Sequence, residues 1–329
     1  MLVTADRVFG GHLYVRNGKI AAISDDGTLP AREELDAAGL YVLPGMLDCH
    51  AHINDPGFTW REDLPHASEA AAVGGVTTLI DMPLQNTPPL TSADAFANKL
   101  AVFEGRSLVD YALWGGLVTD NAAELAGMEA AGAVGFKAFI APVSLGYSSV
   151  DMGLAREALF RIKAFGGLAG FHCEDHALIC AGEAKAKAGG GTRRAFLDSR
   201  PVVAEVIATA NVIELARETG ARVHICHVSH PRVAELVRRA QADGLSVTGE
   251  TCPHYLVFTE ENLLSCGTVF KCAPPLRTAE ARDGLWEYVL DGTLSCIGSD
   301  HSPSRPDEKD EAVHGVMGAW GGLSGLQSL

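Results

Sequence analysis

The chain has 329 residues, 47% of them hydrophobic and 20% charged, enough for a large core and in keeping with one large domain plus a small appendage. Its net charge of −15 argues against a nucleic-acid or anionic-membrane partner, and no apolar run is long enough to span a bilayer. The first residues have the character of neither a signal peptide nor a transit peptide.

The eight cysteines (49, 173, 180, 226, 252, 266, 272 and 296) contain no CxxC pair. In a chain of this size they read as reduced, mostly buried thiols, and the expected location is the cytoplasm.

Residues 1–42 read as part of a small β-domain, a partial β-sandwich. Strand-like pieces lie at 7–9, 12–15 and 19–23, and Asn17-Gly18 between two of them signals a hairpin because both residues tolerate positive φ. From Tyr41 onward the rhythm becomes strand, loop, helix. Strands are expected at 41–47, 77–81, 111–117, 134–140, 167–171, 222–226, 246–250 and 295–298. Helices are expected at 67–73, 94–103, 122–131, 154–165, 202–219, 232–243 and 280–290. Eight strands alternating with helices over residues 43–329 predict an α/β fold, a (β/α)8 TIM-like barrel. The glycine-rich patch at 189–191 lacks a following Lys-Ser/Thr and reads as a loop, not a phosphate cradle.

Six polar residues lie at or near the ends of these apolar runs: His50, His52, Lys137, His172, His227 and Asp300. In a barrel, that is where catalytic groups sit. His50 and His52 are two apart at a strand end, so both side chains reach the same side. His172 follows Phe171, and His227 is preferred over His224 because it is nearer its strand end. Asp300 follows the eighth strand. Four imidazoles and a carboxylate suit Zn²⁺ or a similar first-row ion. Lys137 lies inside an apolar strand, where an ammonium has no place without a partner. Capture of CO₂ as a carbamate would turn it into an anionic oxygen ligand able to bridge two metals. His12, His66, His176, His230 and His314 join no such cluster.

The motifs around these residues carry a resemblance. They include Pro44-Gly45-Met46-Leu47-Asp48-Cys49-His50-Ala51-His52, Gly74-Gly75-Val76-Thr77-Thr78 and Asp81-Met82-Pro83. Further along are Asn54-Asp55-Pro56-Gly57, His227-Val228-Ser229, Cys252-Pro253-His254-Tyr255, Lys271-Cys272-Ala273-Pro274-Pro275-Leu276-Arg277, Ser299-Asp300-His301-Ser302-Pro303 and the run from Ala319 to Gln327. In this order they resemble the cyclic amidohydrolases of the amidohydrolase superfamily, and within them the allantoinases, over nearly the whole chain.

The resemblance implies two divalent metals bridged by carbamylated Lys137 (N6-carboxylysine). His50, His52 and Asp300 would hold one, and His172 and His227 the other. Zn²⁺ is the expected metal, with Co²⁺, Mn²⁺ or Fe²⁺ as alternatives. Two cations about 3.5–4 Å apart activate a bridging water and polarise the scissile carbonyl. Asp300 would then act as general base and general acid. The implied reaction is allantoin to allantoate, in purine catabolism. By the same resemblance Cys272, Ala273 and Gly321 lie in loops that hold the ring amides, Tyr147 lines the substrate pocket, and the assembly is a homotetramer.

Two rival readings stand beside this one. The chain could open another ring, as hydantoinases, dihydropyrimidinases and dihydroorotases do. A dihydroorotase would favour an arginine near Asn54 to grip a carboxylate. It could also be a non-catalytic scaffold of the same fold, although such proteins typically lose metal ligands. The chain stops at Leu329, soon after Asp300, whereas the family continues with a last barrel helix and strands that complete the small β-domain. The barrel therefore reads as truncated after strand eight. The expectation is lower stability than in an extended version, checked by comparing melting temperatures.

Overall fold

The strand-loop-helix rhythm folds as two units, Met1–Met46 and Leu47–Leu329. A computed structural model describes residues 1–143 and 146–329. In the first unit β1 (Leu2–Val3) pairs antiparallel with β2 (Val8–Phe9), and β3 (His12–Arg16) with β4 (Lys19–Ser24). Asn17 and Gly18 turn the second hairpin at φ values of 54° and 72°, the left-handed pair that a tight hairpin requires.

The second unit is built on β5 (Met46–Ala51), β6 (Val76–Asp81), β7 (Asp110–Leu113), β8 (Gly115–Gly116), β9 (Phe136–Phe139), β10 (Leu168–His172), β11 (Arg222–Ile225), β12 (Val247–Thr251) and β13 (Cys296–Ile297). Their order is sequential, β5-β6-β7 in one sheet and β8 to β13 in another. Trp114 joins the two sheets: its N–H donates to Asp81 O at 2.9 Å, and the next N–H, of Gly115, donates to Gly135 O at 2.8 Å. The expected strand at 111–117 is thus the pair β7 and β8. At the far edge Ala51 bridges His301 in parallel, and His52 N donates to His301 O at 2.7 Å, bringing the end of β5 to the segment after β13. This is an α/β, TIM-like barrel fold.

All seven expected helices are present, at Leu64–Gly74, Ala93–Phe103, Leu125–Ala130, Met152–Ala164, Val202–Thr219, Pro231–Ala242 and Ala279–Leu290. Their starts are chemically marked. Asp63, Ser92, Asp151 and Thr278 each cap a free N–H with a side-chain oxygen. Apolar faces such as Leu64, Ala67 and Ala71, or Phe96 and Phe103, join Leu79, Phe136 and Phe171 of the strands in one continuous core.

Two differences from the expected elements matter for the site. The first barrel strand runs 46–51, not 41–47. Polar residues of this strand are buried because they are bonded: Asp48 accepts from Ser299 N at 2.9 Å and from His50 N at 3.1 Å. A search for apolar runs stops short of such a strand. The helix His176–Ala188 was not expected either. It is rich in Ala and buries only Ile179 and Ala186, so its periodic signal is weak.

Candidate metal centre

The barrel strands deliver the six singled-out residues to one cavity of about 460 Å³, which all six line. His50 lies in β5 and His52 just beyond it, with rings 5.3 Å apart. Asp300 Oδ1 is 3.3 Å from His50 Nε2 and 3.2 Å from His52 Nε2. One ligand atom from each of the three lies within 4.8 Å of the others, a grouping able to hold an ion.

His172 ends β10 and His227 follows β11. His172 Nδ1 and His227 Nε2 face each other at 3.1 Å. Bonds of about 2.0–2.1 Å to a tetrahedral ion would set two nitrogens about 3.3 Å apart. Lys137, in β9, is fully buried, and its Nζ has no hydrogen-bond partner. It lies 5.3 Å from the Phe139 ring centroid.

The chemistry of these donors fits a cation. Buried polar atoms without partners are costly, yet His50 Nε2, on the side that faces Asp300, and Lys137 Nζ are both buried without a hydrogen bond. His227 and Asp300 also adopt left-handed backbone at φ 40° and 46°. For non-glycine residues that conformation costs on the order of 1 kcal/mol each, and it recurs at functional sites.

Two carboxylates that sequence reasoning missed stand behind the imidazoles. Glu250, in β12, lies against His50 Nδ1. It also accepts from His227 N at 3.2 Å and from Cys49 Sγ at 3.1 Å, and it is 3.3 Å from His224 Nε2. Glu174 Oε2 is 2.7 Å from His172 Nε2 and accepts from Arg200 at 2.5 Å. Such outer carboxylates fix which imidazole nitrogen faces the metal. Glu174, two residues beyond His172, had a local signal. Glu250 had none, being 200 residues from His50.

The electrostatics keep most of the donors free of protons. Burial pushes His52 down to about 4 and lowers His172. His227 is lowered by burial and by neighbouring Lys137. Burial would also lower His50, but Glu250 overrides it and raises the group to about 10. Burial would raise Asp300, but the His50 and His52 imidazoles hold it well below the usual carboxylate range.

Of the residues assigned to substrate loops, Ala273 and Gly321 line the cavity. Cys272 is buried, and Tyr147, also buried, donates its hydroxyl to Lys137 O at 2.5 Å. Lys271, the first residue of the expected substrate loop, lines the cavity too, as do Arg200, Glu183 and Gln85, none of which had been anticipated there.

A barrel with these donors at one end defines a metal-dependent cyclic amidohydrolase. A dihydro-orotase-like family model matches residues 39–232, and the chain belongs to that family. It is 40% identical to the allantoinase of Solibacter usitatus over 93% of this chain and 67% of the relative. Against the allantoinase of Streptomyces avermitilis it is 41% identical, over 93% of this chain and 69% of that one. Among solved structures, L-hydantoinase (dihydropyrimidinase) from Arthrobacter aurescens superposes with a TM-score of 0.95 at 37% identity, over 99% of this chain and 73% of the other. No helix among the described residues is long and apolar enough to cross a membrane.

Proposed function

We propose that this chain hydrolyses the hydantoin ring of allantoin to give allantoate. The observation that carries the reading is the convergence of four imidazoles, one carboxylate and one unpartnered buried lysine on a single cavity. The similarity to allantoinases supports the choice of ring.

In this reading His50, His52 and Asp300 would hold one cation and His172 and His227 the other, with Zn²⁺ the expected metal. Lys137, carbamylated by CO₂, would supply an anionic oxygen ligand for them. When bound, the cations make water a nucleophile at neutral pH and polarise the amide carbonyl. Asp300, poised between His50 and His52, takes the proton from the attacking water and returns it to the departing ring nitrogen. Glu250 and Glu174 hold His50 and His172 in orientation. The backbone of Ala273 and Gly321 flanks the space left for the ring.

The test is ring opening of allantoin, hydantoin, dihydrouracil and dihydroorotate by protein refilled with Zn²⁺, Co²⁺ or Mn²⁺ in bicarbonate. Preference for allantoin is expected. Preference for dihydroorotate or dihydrouracil would replace the substrate while keeping the chemistry.

A further inference from the structure

We propose that Glu183, Arg200 and Lys271 form a polar wall of the reaction cavity that reads the substituent on the ring. The wall selects a side group that carries both hydrogen-bond donors and an acceptor without net charge, as a ureido group does. This deepens the cyclic-amide reading above and rests on it.

The three residues come from separate places. Glu183 is on the helix His176–Ala188, Arg200 caps the end of the helix Arg193–Ser199, and Lys271 follows the short turn Thr268–Phe270. All three line the cavity that also holds the six convergent residues. Arg200 also braces Glu174 behind His172, but none of the three is required to hold a metal or move a proton.

Their hydrogen bonds show what remains on offer. Arg200 donates to Glu174 at 2.5 Å and to Glu183 Oε1 at 2.8 Å, while its Nε is buried without a partner. The Lys271 ammonium donates to Met317 O at 3.0 Å and to Ala319 O at 2.5 Å. An ammonium has three donors, so one is left. Glu183 meets Arg200 through one oxygen and, at 3.4 Å, the exposed Lys187 through the other, and so keeps acceptor capacity. Phe196 packs beside them, its ring centroid 5.0 Å from Lys271 Nζ.

The wall therefore presents donors and acceptors of mixed sign. Glu174 and Glu183 balance Arg200 and Lys271. A carboxylate substituent would satisfy Arg200 and Lys271 but be repelled by Glu183, a cationic one the reverse, and an alkyl group would leave buried polar groups unpaired. A urea satisfies both kinds of group, its carbonyl accepting and its N–H groups donating. Sites built to hydrogen-bond a substrate reject analogues lacking the partner far more strongly than apolar pockets reject an extra methylene.

The experiment uses the zinc-loaded full chain and compares kcat/KM for allantoin, hydantoin, 5-methylhydantoin and hydantoin-5-acetate. The parent protein, Glu183→Leu, Lys271→Met and Lys271→Arg are each checked for a cooperative melt. The parent is expected to favour allantoin over the methyl and carboxymethyl compounds by at least about tenfold. Glu183→Leu and Lys271→Met should each erode that ratio by about tenfold, chiefly through KM, and Lys271→Arg should retain more of it. Unchanged ratios in both folded variants, or a parent that favours the carboxymethyl compound, would overturn the wall while leaving ring hydrolysis in place. Failure to open even unsubstituted hydantoin would overturn the hydrolysis reading and the wall with it.

Discussion

The carboxylate of Glu250 lies against Nδ1 of His50, across 200 residues of sequence, so that strand β12 orients a donor on strand β5. The same carboxylate takes the N–H of His227 at 3.2 Å, coupling it to a donor of the second proposed ion as well. Outer-shell partners of this kind typically account for 10- to about 100-fold in metal affinity. Glu250→Gln is therefore expected to weaken metal retention by about that factor, measured by competition with a chromogenic chelator. Affinity equal to the parent's would show that the His50 ring is fixed by packing alone.

Lys137 bears the heaviest demand. Lys137→Ala removes the only group proposed to bridge two cations. Ring opening should fall by on the order of 10³-fold, since metal activation supplies several kcal/mol of barrier lowering. Bound metal should fall with it, and added propionate should restore part of the activity by supplying a free carboxylate. A variant with full metal content and full activity would rule out the bridging role.

A fully buried ion pair ties the strand ends together beside the site. Lys99 meets Asp81 and donates to Asn86 at 2.6 Å and to Ile53 O at 3.1 Å, while Asp81 accepts from Ile53 N at 2.6 Å. Burial raises Asp81 to about 6 even against Lys99. Lys99→Met strands a buried carboxylate and should cost about 3–5 kcal/mol. The double change Lys99→Met with Asp81→Asn should recover much of that. Denaturant midpoints decide the matter, and a single variant as stable as the parent would refute the coupling.

Burial, helped by Arg200 and Lys309, pushes Lys271 down to about 8. Glu183 opposes that shift, Lys187 adds to it, and Phe196 packs against the ammonium. The folded pKa lies below the ordinary lysine value, so the ammonium's burial costs stability below about 8, and the cost relaxes as pH rises toward the unfolded value. For binding the sign is opposite, because the wall loses its cation as pH rises through about 8. The KM for allantoin should climb across that range in the parent and stay flat in Lys271→Arg, whose guanidinium keeps its charge. Parallel profiles in the two proteins would remove Lys271 from substrate recognition.

The proposed donor set could be read from sequence because each member stands at or near the end of an apolar strand, where a barrel places its chemistry. The groups behind the donors could not. Glu250 and His50 lie on strands far apart in sequence, and Arg200 reaches Glu174 across 26 residues through a helix that gives little amphipathic signal. The polar wall was hidden for a related reason: Glu183 lies on a helix whose buried face consists of one isoleucine and one alanine. The first barrel strand was set too early because its buried polar residues, satisfied by Ser299 and Glu250, interrupt the apolar run.

The most direct test is the metal stoichiometry of protein refilled with Zn²⁺ in bicarbonate, with the mass or ¹³C signal of the Lys137 carbamate recorded on the same sample. The account predicts about two metals per chain, retained only when Lys137 carries CO₂. Metal-free protein, or two retained metals with Lys137 unmodified, would contradict it.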